Sequence, residues 1–104
     1  MTNIQRHTLL QENLEGKEKS FNLLFNDGKK PVFFNIYSYV KSYEISEDLL
    51  QETFLELLKN TKKIKKSEDL LGYLIVISKN KALNYIKKNK RIITESDLEN
   101  TETI

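Results

Sequence analysis

Residues 78–91 interleave cationic and amide side chains with one tyrosine, a combination that suits nucleic-acid binding. Lysine and arginine neutralise phosphates, and asparagine has paired donor and acceptor groups that can read base edges. A tyrosine ring offers a face for an unstacked base. The side chains that form this pattern are Lys79, Asn80, Lys81, Asn84, Tyr85, Lys87, Lys88, Asn89, Lys90 and Arg91. The same composition also suits a solvated helix end, and on composition alone both interpretations stay open.

The charges of the chain fall into three blocks. The net charge is −3 for residues 1–58, +9 for residues 59–91 and −4 for residues 92–104, so the overall charge of +2 conceals a basic segment between acidic flanks. Four lysines of that segment stand in a short linker: Lys62, Lys63, Lys65 and Lys66. Such a segment favours a polyanionic partner, although a lysine-rich surface without any partner has the same composition.

The residues that enzymes use are poorly represented. His7 is the only histidine, so a catalytic triad, a histidine–carboxylate base and a histidine metal site are poorly supported. The acid pairs at 47–48 and 68–69 both stand at predicted helix starts, where they stabilise the positive end of the helix dipole. Residues 27–30, Asp-Gly-Lys-Lys, lack the spacing of a phosphate-binding loop. The sequence therefore predicts a binding protein without catalytic activity, metal or cofactor.

Length and composition indicate one small domain. A chain of 104 residues can bury one modest core. It has neither an apolar run of about 20 residues that could span a membrane nor the compact apolar run of a signal peptide. Cysteine is absent, so we expect no disulfide and a cytoplasmic location. Three glycines and one proline favour helix over sheet.

An amphipathic helix is predicted for residues 46–60. Ser46 can cap its start, and two acids follow. Apolar residues recur with the spacing of a core-facing stripe: Leu50, Phe54, Leu57 and Leu58. The other side carries Asp48, Gln51, Glu52, Leu55 and Glu56. Because this side has an apolar residue among acids and amides, we expect it to dock on a protein partner.

Three more helices are predicted before this one. A short leading helix should end near Gly16, and the next should run over residues 17–26 and stop at residues 27–28, Asp-Gly, because glycine accepts the left-handed conformation after a helix end. Pro31 suits the first turn of the third helix, which should reach about Tyr43. That helix is aromatic on nearly all sides, so we expect it in the middle of the bundle.

The last and longest helix is predicted to begin after Ser67, with a core stripe of Leu70, Tyr73, Leu74 and Ile77. Within it, Gly72 costs about 1 kcal/mol relative to alanine, which suggests a close approach to another backbone. The acidic, polar residues from Ile92 onwards predict disorder. The predicted fold is all-α, a compact bundle of three to four helices, with a leader over residues 1–16, a helical domain over 17–91 and a tail over 92–104.

Two motifs together resemble a known family. The first is Glu47-Asp48-Leu-Leu-Gln51-Glu52-Thr-Phe54-Leu-Glu-Leu-Leu. After a basic linker comes the second, Tyr73-Leu74-x-x-Ile77-Ser78-x-Asn80-x-x-x-Asn84-Tyr85-x-Lys87-Lys88-x-x-Arg91. Over about residues 21–91 the chain resembles region 2 of bacterial sigma factors of the extracytoplasmic-function type. Either motif alone is a weak signal, but the pair at this distance is fairly specific.

The resemblance implies two partners. In the family, the acidic-amide helix docks on the clamp helices of the β′ subunit of core RNA polymerase, and the last helix and its preceding loop recognise and help melt the minus-ten promoter element. The polymerase-binding residues would be Asp48, Gln51, Glu52 and Leu55. The DNA-binding residues would be Lys62, Lys63, Lys65, Lys66, Tyr73, Asn80, Lys81, Asn84, Lys87, Lys88 and Arg91. Melting would be helped by capture of a flipped base in the linker.

The chain also departs from the family pattern. Tyr73 stands where tryptophan is usual, Asn84 where aspartate is usual, and lysines where arginines are usual. Lysine lacks the bidentate fork of arginine, so we expect looser sequence readout.

The second helix-turn-helix domain that the family normally adds has no counterpart in these 104 residues. The resemblance is compatible with an excised domain, a truncated sigma factor or one half of a split sigma factor. It also allows an anti-sigma partner or a separate chain that supplies the second domain. The alternative is a small non-enzymatic helical interaction or regulatory domain with no DNA readout, whose lysines only keep it soluble.

Overall fold

A computed structural model describes the backbone of residues 1–96 and the side chains of residues 1–89. In this part of the chain four α-helices follow one another without any strand: α1 Asn3–Leu14, α2 Glu18–Val40, α3 Tyr43–Lys59 and α4 Leu70–Ser96. A 3₁₀ turn, Thr61–Lys63, lies between α3 and α4. The prediction of an all-α bundle of three to four helices is confirmed. None of the helices described is long and apolar enough to cross a membrane.

The core forms around α2, which packs against each of the other three helices. Its buried side chains include Leu24, Val32 and Ile36; α3 adds Phe54 and Leu57, and α4 adds Leu70 and Leu74. At about 1.5–3 kcal/mol for each large apolar side chain removed from water, this cluster is the main stabilising contribution. The predicted core stripes of α3 and α4 are buried or half-buried, and the predicted central place of the aromatic helix is confirmed.

The predicted break at residues 27–28 is wrong, because α2 runs through it as one helix and contains Pro31. Gly28 is buried, and a Cβ added there would lie 3.1 Å from Cζ of Phe54. The glycine therefore admits the Phe54 ring rather than ending a helix. Pro31 is exposed and cannot donate to the carbonyl four residues earlier, a loss that packing along the rest of α2 outweighs.

Both predicted helix starts are displaced. The helix predicted for residues 46–60 is α3, which begins at Tyr43, and the Ser42 hydroxyl caps it by accepting from the Ile45 amide at 3.2 Å. The predicted cap Ser46 therefore lies in the first turn of α3 and is fully buried. The fourth begins at Leu70 rather than directly after Ser67. Its first amide donates to the Asn3 side chain of α1 at 2.8 Å. A neighbouring serine thus caps α3, whereas a residue from outside the local sequence caps α4.

Two further details of α4 differ from expectation. Gly72 does not admit another backbone, because the nearest atom to an added Cβ is Oδ2 of Asp69, at 2.9 Å. The helix also continues to Ser96, past the predicted end at residue 91. The rest of the tail for which disorder is predicted, residues 97–104, lies outside the described residues.

The leading helix forms as predicted and is packed into the bundle. A capping box joins Thr2 and Gln5 at its start, and Gly16 follows its end with a φ of 93°. Leu10 is only 2% exposed and belongs to the core cluster. Residues 1–16 therefore contribute to the same core as α2.

Candidate functional site

The acidic-amide side of α3 faces solvent. Asp48, Gln51, Glu52 and Leu55 are all exposed, while Leu50, Phe54 and Leu57 on the opposite side are buried. The side chain of Leu55 is 55% exposed among these polar neighbours. We call these four exposed residues the α3 face. Because Phe54 is fixed in the core, the α3 face has a defined orientation on the molecule.

Lys81 does not lie with the other cations of α4. Its Nζ is 3.1 Å from Oε1 of Glu56 and 3.9 Å from Oε1 of Glu52, and its side chain is only 22% exposed. The lysine therefore joins α4 to α3 and compensates two carboxylates, Glu52 of the α3 face and Glu56 next to that face. Its charge is directed to protein rather than outwards.

A second exposed surface lies along α4. Asn80, Asn84, Lys87 and Lys88 are all exposed, and their spacing places them on one side of the helix. Val76 and Leu83 share this side, 58% and 41% exposed. We call these six residues the α4 face. Sequence reasoning missed the two apolar members, although both fall outside the predicted core stripe, and apolar side chains can contact the methyl group of thymine. The side chain of Arg91 lies outside the described part.

The linker between α3 and α4 borders a cavity of about 490 Å³. This linker cavity is lined by Asn60, Lys63, Ile64, Lys65, Glu68 and Tyr73. All four linker lysines are exposed, and Tyr73 is half-buried with its ring against the core cluster. Two predicted DNA-binding lysines and the predicted DNA-binding Tyr73 therefore come together here. Asn60 and Glu68 were not predicted, because their place in the cavity depends on how the linker folds.

A third surface was also missed. Four aromatic side chains, Phe33, Phe34, Tyr37 and Tyr43, border a groove of about 550 Å³ between α2 and the start of α3. Phe34 is 58% and Tyr43 is 66% exposed. Tyr43, near which the predicted third helix should end, is instead the first residue of α3. The groove also touches Lys29, Lys30 and Glu47, so its rim is charged.

Comparison with known proteins places most of this structure in one family. The family model for sigma-70 region 2 matches residues 24–92. A probable RNA polymerase sigma factor of Haemophilus influenzae is 34% identical over 64 residues, which cover 62% of this chain and 33% of the relative. The chain thus spans about a third of the length of that relative. No solved structure gives a significant match. The match begins within α2, includes all of α3 and ends at residue 92 of α4, and it shows that the chain belongs to the sigma-70 region 2 family.

Proposed function

We propose that this chain is a transcription-initiation module of the extracytoplasmic-function type, which docks on core RNA polymerase through the α3 face and binds the melted minus-ten strand through the linker and the α4 face. The observation that best supports this is the separation of two exposed surfaces with different chemistry on neighbouring helices. The α3 face has two acids, one amide and one exposed apolar residue, whereas the α4 face and linker are basic. Such a module binds and does not catalyse, and it acts in the cytoplasm.

Docking through the α3 face would combine apolar contact with electrostatic complementarity. Leu55 can bury its exposed side chain on the partner, and Asp48, Gln51 and Glu52 surround it with acceptors and an amide. Complementary charge mainly raises the association rate and restricts the choice of partner. The β′ clamp helices are the partner that the family implies.

Strand binding would use the linker cavity for one extruded base. Extrusion costs a few kcal/mol, and stacking of a base on an aromatic ring returns about 1–3 kcal/mol. Tyr73 supplies that ring, while Asn60 and Glu68 can hydrogen-bond to the edge of the base. Lys63 and Lys65 stand at the same cavity and can neutralise the adjacent phosphates.

The test is binding of the full chain to a fluorescent single-stranded oligonucleotide that carries the non-template minus-ten sequence, measured over a salt series with and without core polymerase. The affinity should fall as salt rises, with a logarithmic slope of about −0.7 for each neutralised phosphate. A scrambled oligonucleotide of the same length is the control. Undetectable binding at low salt, even with core polymerase present, would refute strand recognition.

The aromatic groove supports a second candidate, a helical protein-interaction domain without DNA readout. Exposed clusters of large apolar side chains commonly mark protein-interaction sites, and four aromatic side chains border this groove. On this interpretation the lysines only keep the chain soluble. This second candidate would be favoured if the chain binds core polymerase but its binding to the oligonucleotide is absent or does not depend on salt. An anti-sigma factor, or a chain that supplies a second sigma domain, would be a partner under either proposal.

A further inference from the structure

Two side chains of α1 hold the linker at the point where α4 begins. Asn3 donates from Nδ2 to the Glu68 carbonyl at 2.9 Å and accepts at Oδ1 from the Leu70 amide at 2.8 Å. Nε2 of His7 lies 2.7 Å from the same Glu68 carbonyl, which can only accept. The partners are more than sixty positions apart in the chain. A side chain of α1 therefore caps α4, where a residue of the linker would ordinarily do so.

The first helix is itself firmly anchored to the bundle. Leu10 is 2% exposed in the core cluster. Arg6 pairs with Asp27 of α2, with 2.7 Å between Nε and Oδ2, and these side chains are only 14% and 17% exposed. Ser20 of α2 donates to Glu12 at 2.9 Å. These contacts make α1 a fixed support for the linker.

The linker has few fixed points of its own. After the 3₁₀ turn, its only backbone hydrogen bond among residues 64–69 that stays within the segment joins the Glu68 amide to the Lys65 carbonyl at 2.9 Å. Ordering a backbone costs conformational entropy, so an unsupported linker would lose that entropy on binding a strand. The bonds from Asn3 and His7 act at Glu68, which lines the linker cavity, and at Leu70, two residues further along the chain.

We infer that Asn3 and His7 are positioning residues for strand binding: they hold the linker in the conformation that forms the linker cavity before nucleic acid arrives. The inference rests on the proposed function for its consequence, and α1 lies outside the residues 24–92 that match the family model. A preformed cavity binds more tightly because less ordering remains to be done on association. Neither residue needs to touch the strand.

The test compares Asn3→Ala and His7→Ala with Arg6→Ala in the full chain. Arg6→Ala is the matched control, since it removes an α1 contact to α2 and leaves both linker contacts in place. Hydrogen–deuterium exchange reports on linker order, and the minus-ten oligonucleotide reports on binding. With Asn3→Ala, exchange at the Leu70 amide should rise and oligonucleotide affinity should fall by about fivefold to tenfold, the effect of one or two lost hydrogen bonds. Asn3→Asp keeps the acceptor and should retain protection at Leu70.

The control separates positioning from general stability. If Arg6→Ala and Asn3→Ala reduce affinity equally at matched unfolding midpoints, α1 acts only on the stability of the bundle and the inference is overturned. Unchanged exchange over residues 64–70 in Asn3→Ala would overturn it as well. If the wild type binds no oligonucleotide, the proposed strand binding fails, whereas a linker-specific rise in exchange would still support α1 as the element that positions the linker.

Discussion

Lys81 and Lys87 should respond differently to the same substitution, although both are lysines of α4. Lys81 lies 3.1 Å and 3.9 Å from two carboxylate oxygens and its side chain is 22% exposed, whereas Lys87 is exposed on the α4 face. A lysine already compensated by Glu56 and Glu52 has little charge left for a phosphate. Lys81→Ala should therefore leave strand binding nearly unchanged, and Lys87→Ala should weaken it.

The salt dependence gives the magnitude. Each neutralised phosphate of a single strand contributes about −0.7 to the slope of log affinity against log salt. Lys87→Ala should therefore make this slope less negative by about 0.7, and Lys81→Ala should leave it unchanged. Because the carboxylates that Lys81 meets are about half exposed, loss of the ion pairs should cost only about 0.5 kcal/mol of folding stability. Fluorescence anisotropy over a salt series and urea unfolding measure the two quantities.

An equal change of both slopes towards zero would refute the proposed difference between Lys81 and Lys87. That result would mean that Lys81 leaves its carboxylates when a strand binds. If the slope became less negative for Lys81→Ala alone, the assignment of strand binding to the α4 face would be refuted. Pull-down of core polymerase serves as the control for Lys87→Ala, because Lys87 has no ion pair with the α3 face, whereas Lys81 contacts Glu52 of that face.

Three other variants test separate parts of the structure. Gln51→Ala combined with Glu52→Ala should reduce polymerase pull-down and leave the helical circular dichroism unchanged; equal recovery would count against the α3 face. Asn80→Ala should alter sequence preference among minus-ten oligonucleotides, and a loss that is uniform across sequences would argue against base reading. Gly28→Ala should lower the free energy of unfolding by about 1 kcal/mol, because crowding against the buried Phe54 ring exceeds the helix propensity gained. A more stable Gly28→Ala protein in urea unfolding would show that the ring can move aside.

Sequence reasoning identified the parts of the fold that depend on periodicity. The buried side of α3 and the core stripe of α4 follow from apolar spacing, since one stripe of a helix must pack on its neighbours. Exposure of the α3 face follows from the same spacing. The predicted roles of its residues in polymerase binding, and of the α4 face in DNA binding, stay predictions.

The errors arose where a distant residue decides the local structure. Gly28 and Pro31 have the local chemistry of a helix break, but the Phe54 ring needs the space at Gly28 and packing stabilises the continuous helix. Ser67 has the chemistry of a cap, yet Asn3 provides it from another helix. The predicted DNA-binding role of Lys81 stays a prediction, but its ion-pair partners on α3 could not be inferred from its neighbours in sequence. A single sequence contains no direct record of such contacts.

The close fit between Gly28 and Phe54 also has an evolutionary consequence. The buried Phe54 ring beside Gly28 fixes the rotation of α3 about its own axis, so the exposed residues of α3 do not determine that rotation. Exposed residues of α3 can therefore change during evolution and alter the affinity for a protein partner, while the orientation of the helix in the bundle stays the same.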